Sequence, residues 1–521
     1  MTDATTLARH LVTQWIQWGV QHVVLCPGSR SAPLAFAAHE AAGRGDLILH
    51  TRIDERVGAF TALGMAKASG LPAVVFTTSG TAAANLHPAV LEASHAGVPL
   101  VAVTADRPAV LRGTGANQTT DQVRLFGGAA VFVDLHSVRS VAPPQGCPLH
   151  LNVQFAEPLI PSGDGGWLAE RIEPTERELD PPVLLEPGAR TVVVAGDGAG
   201  PEARTLAEKA GWPLLAEPTS GARAGANAIR TYRLLLAGEL GDQIERVVLF
   251  GHPTLSRPVT GLLTEKDVVS VRMRGRWTAR PFSVLVEHDA VDVLGSDRSP
   301  WLDDWRQADT ELSLRLDKMV RGEELTPYAV AAAVHQALPP GGLLHVGASN
   351  PIRDLDLMAR PTTVGERRLT LANRGLAGID GVVATAIGEA LARPSERAIC
   401  YLGDVSFVHD MGALVLGPRE QRPDLTVVVA NDDGGSIFSV LEQGAPEFAD
   451  SFETLFATPH GIDVASLCAA TRTPHRRVDN LAQMQHALAN PTGGIEVVEA
   501  LIRRDNRREL DAQVRALAVG N

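Results

Sequence analysis

Short apolar runs alternate with amphipathic stretches along most of the chain. Near the N-terminus, a helical pattern at Thr6–Trp18 is followed by an apolar run at His22–Cys26 and by a second helical pattern at Ala32–Ala42. Short apolar runs bounded by turn residues are typical of buried parallel strands. The pattern therefore predicts an α/β fold in which helices cover parallel sheets.

Changes in composition divide the chain into three segments. A stretch rich in proline and acidic residues, at about 173–188, separates residues 1–180 from a middle segment at 189–310. The alternation resumes at 326, beside a Thr-Pro pair that is typical of a helix start, and continues to 521. We therefore expect three α/β domains with parallel sheets. The similar alternation at the two ends suggests a duplicated architecture.

Composition excludes several classes of protein. The chain has 521 residues, 45% of them hydrophobic, and a formal net charge of −13. This acidic balance argues against general binding to nucleic acids or acidic membranes. No run of about twenty apolar residues exists, so no membrane span is expected. The four cysteines lie far apart without a C-x-x-C pair, which indicates free thiols in a reducing cytoplasm.

Two apolar runs near the C-terminus end in polar, glycine-containing turns. The run at Ala398–Leu402 ends at Gly403-Asp404, and the run at Leu425–Ala430 ends at residues 431–435, which read NDDGG. Ligands of open α/β sheets bind at the carboxyl ends of the strands. Oxygen ligands beside glycine-rich backbone suit a hard cation and a diphosphate, although Gly-Asp and Asp-Gly are also ordinary turn dipeptides.

Together, these two turns resemble the fingerprint of the thiamine-diphosphate-dependent enzyme family. That fingerprint is a Gly-Asp pair, then close to thirty residues, then a pair of polar residues before a glycine. The resemblance implies the thiamine-diphosphate-binding fold, with a pyrimidine-binding domain first, a middle domain, and a diphosphate-binding domain last. It also implies a homodimer or homotetramer, because the family's active site forms between two chains.

The resemblance implies a metal site for magnesium or manganese. Asp404 is one expected ligand, and the backbone of Gly434 is another. Counting back from Gly434 makes Asp432 the second side-chain ligand, but the family usually has Asn there and Asn431 is adjacent, so both remain candidates. Further cofactor contacts are expected at Gly403, Val405, Ser406, Gly435, Ser436, Ile437 and Phe438.

Other cofactor contacts are implied in both end domains. Glu55 matches the glutamate that activates the cofactor by sharing a proton with its pyrimidine ring. Gly80 and Thr81 match a turn that faces that ring. Ile379 matches the apolar residue that bends the cofactor.

Several blocks resemble one branch of the family, which acts in menaquinone biosynthesis. They include PGSRSAPL at 27–34, TADRP at 104–108 and NRGLAGIDG at 373–381. That branch decarboxylates 2-oxoglutarate and adds the remaining succinyl-semialdehyde unit to isochorismate, so the resemblance implies a transferase with these two substrates. Arginine clusters suit such dianions. The expected substrate-binding residues are Ser29, Arg30, Arg107, Asn117, Gln118, Arg298, Ser349, Arg353 and Arg374.

Two other functions stay open at this point. An acetolactate-synthase-like carboligase of 2-oxo acids would carry FAD in its middle domain. The turn at 195–200, AGDGAG, partly matches a dinucleotide-binding motif, but Pro201 stands where that motif needs glycine. We therefore expect a middle domain that need not bind a nucleotide. A non-catalytic thiamine-diphosphate-binding protein is the other alternative.

Overall fold

The computed structural model describes residues 2–161, 167, 181–273, 275, 280–322 and 324–519. Its first sheet is six-stranded and parallel. The strands are β1 (His22–Leu25), β2 (Ile48–Thr51), β3 (Ala73–Thr77), β4 (Leu100–Asp106), β5 (Val131–Leu135) and β6 (Leu149–Gln154), in the order β2-β1-β3-β4-β6-β5. The helices around it are Ala4–Gln17, Ala32–Gly43, Glu55–Ser69, Thr81–Ala84 and His87–Ala96.

The middle segment holds a smaller parallel sheet. Its strands are β7 (Val183–Leu185), β8 (Thr191–Ala195), β9 (Leu214–Ala216), β10 (Arg246–Phe250), β11 (Asp267–Val271), β12 (Val286–His288) and β13 (Val291–Val293). The five-stranded sheet has the order β12-β11-β10-β8-β9, while β13 and β7 form a separate pair. The helices are Glu202–Ala210, Tyr232–Leu235, Glu239–Asp242, Arg257–Glu265 and Trp301–Met319.

The last segment forms a second six-stranded parallel sheet. Its strands are β14 (Leu343–Val346), β15 (Leu369–Leu371), β16 (Ala398–Gly403), β17 (Leu425–Asn431), β18 (His475–Val478) and β19 (Ile495–Leu501), in the order β15-β14-β16-β17-β19-β18. The α-helices are Pro327–Ala337, Asn350–Met358, Val382–Ala392, Asp404–His409, Ala449–Phe452, Val464–Ala470, Leu481–Ala489 and Arg507–Val519.

The first and last sheets have the same topology. When the strands of each sheet are counted in chain order, both read second, first, third, fourth, sixth, fifth. Central strands such as β3 and β17 are buried along nearly their whole length, as expected for parallel strands covered by helices on both faces. The predicted duplicated architecture and the predicted fold class, α/β with parallel sheets, are therefore confirmed.

The predicted domain boundaries stay a prediction. The predicted end of the first domain at 180 lies outside the described residues. Strand β7 lies inside the predicted linker and pairs with β13. The helix Trp301–Met319 runs across the predicted boundary at 310.

Two helices join the first domain to the last. The helix Glu55–Ser69 crosses the helix Val382–Ala392 at glycines: a Cβ on Gly64 would lie 2.1 Å from the Thr385 carbonyl oxygen, and one on Gly388 would lie 2.0 Å from the Thr61 carbonyl oxygen. Such an approach leaves no room for a side chain at either crossing position. The two helices therefore pack backbone to backbone.

None of the described helices is both long enough and apolar enough to cross a membrane. The four cysteines are free thiols.

Two buried histidines lie side by side on the adjacent strands β1 and β2. Nδ1 of His22 is 3.2 Å from Nε2 of His50, and the rings stack with centroids 5.4 Å apart. Burial, with the neighbouring charges of His22 and Arg52, lowers the pKa of His50 to about 3. The folded protein therefore holds His50 neutral at pH values where an unfolded chain would protonate it.

We expect this histidine to make the first sheet sensitive to acid. In the unfolded state His50 binds a proton near the ordinary pKa of histidine, about 6.5, and in the folded state it does not. The contribution of neutral His50 to the free energy of unfolding is therefore complete above about pH 6.5 and is lost as the pH falls. Between pH 7.5 and 5.5 this loss is about 1.4 kcal/mol. Hydrogen exchange of the backbone amides of β1 and β2, corrected for intrinsic rates, measures this loss. As the pH falls, these amides should lose less protection in His50→Asn than in wild type. His136→Asn, at an exposed position, is the control; equal losses in all three proteins would contradict the prediction.

Candidate active site

The ends of β16 and β17 meet at one edge of the last sheet. The two strands pair in parallel, with Gly403 opposite Ala430. Asp404 follows β16 and begins the helix Asp404–His409, which also contains Val405 and Ser406. One carboxylate oxygen of Asp404 accepts the N–H of Val405 at 2.9 Å, and the other accepts the N–H of Gly434 at 2.8 Å. The two polar turns identified in the sequence are thus in direct contact.

The side chains of Asn431 and Asp432 have different surroundings. The Asn431 amide donates to Glu499 at 2.7 Å, and its oxygen accepts the N–H of Asp433 at 3.0 Å. Asp432 instead lies near Asp404: burial, and then the charge of Asp404, raises the pKa of Asp432 to about 7. Two carboxylates that disfavour each other's ionised form suit a cation between them. The Asn431 side chain is thus used within the protein, whereas the Asp432 carboxyl group lies beside that of Asp404.

Gly434 requires a conformation that only glycine adopts easily. Its φ is +149°, and a Cβ there would lie 2.4 Å from the Ala457 carbonyl oxygen. After Gly435 the chain forms the short 3₁₀ helix Ser436–Val440, which contains Ile437 and Phe438. The Ser436 hydroxyl accepts a hydrogen bond from Asn350 at 3.0 Å. The loop is therefore held by its own backbone and by the neighbouring helix.

His460 was not predicted from the sequence, yet it contacts the same carboxylate. Its Nε2 lies 3.0 Å from Asp404, and its Nδ1 accepts the N–H of Ile462 at 3.1 Å. Because Nδ1 accepts, Nε2 carries the proton that is donated to Asp404. The two residues are 56 positions apart and no local motif links them.

A pair of arginines follows β14 and β15. Arg353 donates to the carbonyl oxygens of Ala348 at 3.0 Å and Ser349 at 2.8 Å. Arg374 is 2% exposed and also faces the Ala348 carbonyl, at 3.4 Å. Its other terminal nitrogen donates to the Thr254 hydroxyl at 2.7 Å. Three of the predicted substrate residues, Ser349 among them, therefore share one corner of the sheet edge.

This corner concentrates positive charge. Burial, and then the nearby charges of Arg374 and Arg233, lowers the pKa of Arg353. The Nε of Arg374 is buried, and among the described residues it has no hydrogen-bond partner. A bound carboxylate would supply the missing acceptor and a further negative charge.

Thr254 is a second residue that the sequence analysis missed. It belongs to the middle domain, in the turn after β10, and so lies at the carboxyl end of that sheet. The same strand-end rule that identified Asp404 could have identified this turn. Its residues, HPTL, gave no chemical signal.

A second cluster lies at the carboxyl edge of the first sheet. Arg107 donates to the Ser79 hydroxyl and to the Gln118 carbonyl, both at 2.7 Å, and the Gln118 amide donates to the Ser79 carbonyl at 3.0 Å. These bonds bring Arg107 and Gln118 beside Gly80. Arg30 lies near Arg107: burial, and then the Arg107 charge, lowers the pKa of Arg30. Three other predicted residues of this domain, with exposed side chains, are Ser29, Thr81 and Asn117.

Glu55 is the first residue of the helix Glu55–Ser69. The preceding Asp54 caps that helix, because its side chain accepts the N–H groups of Arg56 and Val57. This leaves Glu55 as the acid not used for capping, half-buried and 3.4 Å from the Asn85 amide. Arg56 donates to the His409 carbonyl at 2.8 Å, so the helix start lies against the segment that follows Asp404.

The structure does not bring all predicted residues together. Arg298 is exposed, and the adjacent Asp297 donates its N–H to Ala210 of the middle domain. Ile379 is 38% exposed.

The glycine-rich turn of the middle domain uses its N–H groups internally. Gly198 donates to the Thr219 carbonyl at 3.3 Å, and Gly200 donates to the Ser220 carbonyl at 2.9 Å. The Glu202 carboxylate lies against Gly200, where a Cβ would be 2.4 Å from it. Donors bonded within the protein beside an acidic group do not suit a phosphate. This agrees with the expectation that the middle domain need not bind a nucleotide.

Both end domains match models of known protein families. Residues 5–125 match the family model for the thiamine pyrophosphate enzyme N-terminal TPP binding domain, and residues 357–498 match the model for the C-terminal TPP binding domain. Thiamine pyrophosphate is thiamine diphosphate under another name. The predicted cofactor is therefore confirmed.

Three curated relatives share one name. The chain is 58% identical to the 2-succinyl-5-enolpyruvyl-6-hydroxy-3-cyclohexene-1-carboxylate synthase of Nocardioides sp., over 99% of this chain and 98% of that protein. It is 48% identical to the protein of the same name from Kineococcus radiotolerans, over 98% of this chain and 97% of that protein. The one from Saccharopolyspora erythraea is 42% identical, over 100% of this chain and 99% of that protein.

Proposed function

We propose that this chain, which belongs to the 2-succinyl-5-enolpyruvyl-6-hydroxy-3-cyclohexene-1-carboxylate synthase family of thiamine pyrophosphate enzymes, catalyses the reaction in that family's name. It decarboxylates 2-oxoglutarate, releases carbon dioxide and adds the four-carbon remainder to isochorismate. The product serves menaquinone biosynthesis in the cytoplasm.

One observation carries the choice of substrates. Arg353 and Arg374 are held by carbonyls and a hydroxyl, and Arg107 likewise contacts a hydroxyl and a carbonyl. Cations held in this way keep their charge available for an anionic ligand. Both proposed substrates carry two carboxylates, which arginine binds through paired hydrogen bonds. A carboligase acting on small uncharged acceptors would have no use for this cluster.

The proposal assigns the remaining contacts to the two sheet edges. Substrate carboxylates are bound by Arg30, Arg107, Arg353 and Arg374, with Ser29, Asn117, Gln118, Arg298 and Ser349 around them. The three segments at 1–180, 189–310 and 326–521 act as the pyrimidine-binding, middle and diphosphate-binding domains. The turn at Gly80-Thr81 and Ile379 face the cofactor ring.

Thiamine diphosphate, when bound, supplies the electron sink that decarboxylation of a 2-oxo acid requires. The edge formed by Gly403, Asp404 and the loop 434–438 suits its diphosphate, because the space beside Gly403 is open and the carboxylates could hold a cation. Glu55 would hold a proton at the pyrimidine ring. The other residues bind, orient and shield the substrates.

We assign the metal, magnesium or manganese, to Asp404, Asp432 and the Gly434 backbone. Among the described residues no group of three or more His, Cys, Asp or Glu side chains could hold a metal ion. Two carboxylates leave most positions of an octahedral ion to other oxygens, and the diphosphate can supply them. Metal and cofactor should therefore bind together.

Alanine substitutions decide between the two candidate ligands. Asp432→Ala should raise the magnesium concentration needed for half-maximal binding of thiamine diphosphate by roughly tenfold or more, because a direct ligand is lost. Asn431→Ala should change it much less, because its side chain contacts Glu499 and Asp433. Titration followed by protein fluorescence measures both. The reverse order of effects would assign the metal to Asn431.

We further propose that each active site combines Glu55 of one chain with the metal loop of another. One feature supports this. Glu55 is only half-buried in the single chain, which leaves its carboxyl group accessible to a second chain.

A complementation experiment tests the shared site. Glu55→Gln should lower kcat by roughly 100-fold or more while thiamine diphosphate still binds, and Asp404→Ala should abolish metal-dependent binding. When the two inactive chains are co-expressed, about half of the dimers should be hybrids, and each hybrid has one intact and one doubly altered site. About one quarter of wild-type activity should therefore return. Activity that stays at the level of the single variants would show that each site lies within one chain.

The proposed reaction is tested by the loss of isochorismate absorbance. Wild-type protein should consume isochorismate only when thiamine diphosphate, a divalent metal and 2-oxoglutarate are all present, with one carbon dioxide released per turnover. Carbon dioxide release with isochorismate untouched would point to another acceptor. Cofactor binding without any carbon dioxide would favour a non-catalytic protein.

A further inference from the structure

Glu92 is a buried acid of the first domain that contacts the substrate loop of the last domain. It lies on the helix His87–Ala96 and is 3% exposed. Its two carboxylate oxygens accept the N–H groups of Gly375 at 2.8 Å and of Leu376 at 2.7 Å. Each oxygen thus serves one backbone donor.

The loop that Glu92 holds joins a substrate residue to a cofactor residue. Arg374 immediately precedes the two bound amides, and Ile379 follows them by three residues. The contact extends to the backbone: a Cβ on Gly375 would lie 2.5 Å from the Glu92 carbonyl oxygen and 2.9 Å from the Ala96 nitrogen. Glycine at this position therefore allows the loop to lie directly on the helix.

Arg374 is consequently fixed from two sides. The middle domain holds its guanidinium through the Thr254 hydroxyl at 2.7 Å. The first domain holds the backbone of the next two residues through Glu92. Hydrogen bonds from N–H groups to a buried carboxylate are among the stronger ones in proteins. These two contacts define where the charge of Arg374 lies.

We propose that Glu92 is a positioning residue for substrate binding, which it serves by holding the Arg374 loop against the first domain. The inference rests on the proposed function, because that function makes Arg374 a ligand of a substrate carboxylate. A residue that merely stabilised the fold would affect cofactor binding and substrate binding alike. A positioning residue affects the substrate that Arg374 binds far more than the cofactor, because the diphosphate and metal are assigned to the ends of β16 and β17, which Glu92 does not hold.

Glu92→Gln provides the test. The amide has nearly the same shape, but it keeps one acceptor oxygen, so one of the two buried N–H groups loses its partner. We expect the KM of at least one of the two substrates to rise, with kcat/KM for it falling roughly tenfold or more, while the Kd of thiamine diphosphate stays within about twofold. Hydrogen exchange of a peptide spanning 373–379 should become faster.

A matched control is Glu208→Gln, an exposed residue whose partner is Arg204 on the same helix. It should leave kinetics and exchange as in wild type. Glu92→Gln would overturn the proposal if it behaved like this control, or if it weakened cofactor and substrate binding equally. Gly375→Ala is the second variant. Its Cβ pushes the loop away from the helix while Glu92 stays intact, so it should reproduce the KM change. It also serves as the test if Glu92→Gln does not fold.

The test separates this proposal from the proposed function. If wild-type protein does not consume isochorismate, the proposed function fails. Calorimetric binding of 2-oxoglutarate, together with the exchange of residues 373–379, then decides on Glu92. Wild-type affinity in Glu92→Gln with unchanged exchange would reject the positioning role.

Discussion

The crossing of two helices at glycine is the contact on which the arrangement of the site depends. The helix Glu55–Ser69 and the helix Val382–Ala392 meet at Gly64 and Gly388, where carbonyl oxygens occupy the space of a side chain. The start of the first helix carries Glu55, and the second begins just after the loop that holds Arg374 and Ile379. Because interiors are close-packed and yield little, a wider crossing would shift Glu55 relative to the Arg374 loop of the same chain. If sites are shared between chains as proposed, it would disturb two sites at once.

Arg353 and Arg374 of the candidate site differ from the arginine of a buried ion pair in the same domain. Arg507 forms a buried bidentate pair with Asp354, at 2.6 and 2.8 Å, and thereby joins the last helix to the helix Asn350–Met358. Arg353 and Arg374 instead contact carbonyls and a hydroxyl, which orient a guanidinium without cancelling its charge. Unpaired buried charge is costly. The folded protein sustains that cost at the position where a dianion would offset it.

The sequence predicted those features that depend on neighbouring residues in the chain. An apolar run that ends in a polar turn predicts both a strand and the edge where it ends, so Asp404 and the loop at 431–435 were found together. The sequence could not distinguish the surroundings of Asn431 from those of Asp432, because the Asn431 side chain bonds to Glu499 of the distant strand β19. His460, Thr254 and Glu92 act through contacts between distant segments. Strand β7 was assigned to a linker because it is only three residues long and pairs with a strand about a hundred residues later.

The contacts between the first and last domains can form only late in synthesis of the chain. Lys67 donates to the carbonyl of Ala372, 305 residues further along the chain. At the usual rate of translation, roughly 15 to 60 seconds separate the appearance of these two residues. During that interval the glycine-lined face of the helix Glu55–Ser69 is complete but uncovered. The nascent chain must therefore keep this face from other partners, which makes the first domain a candidate substrate for chaperones until the last domain is made.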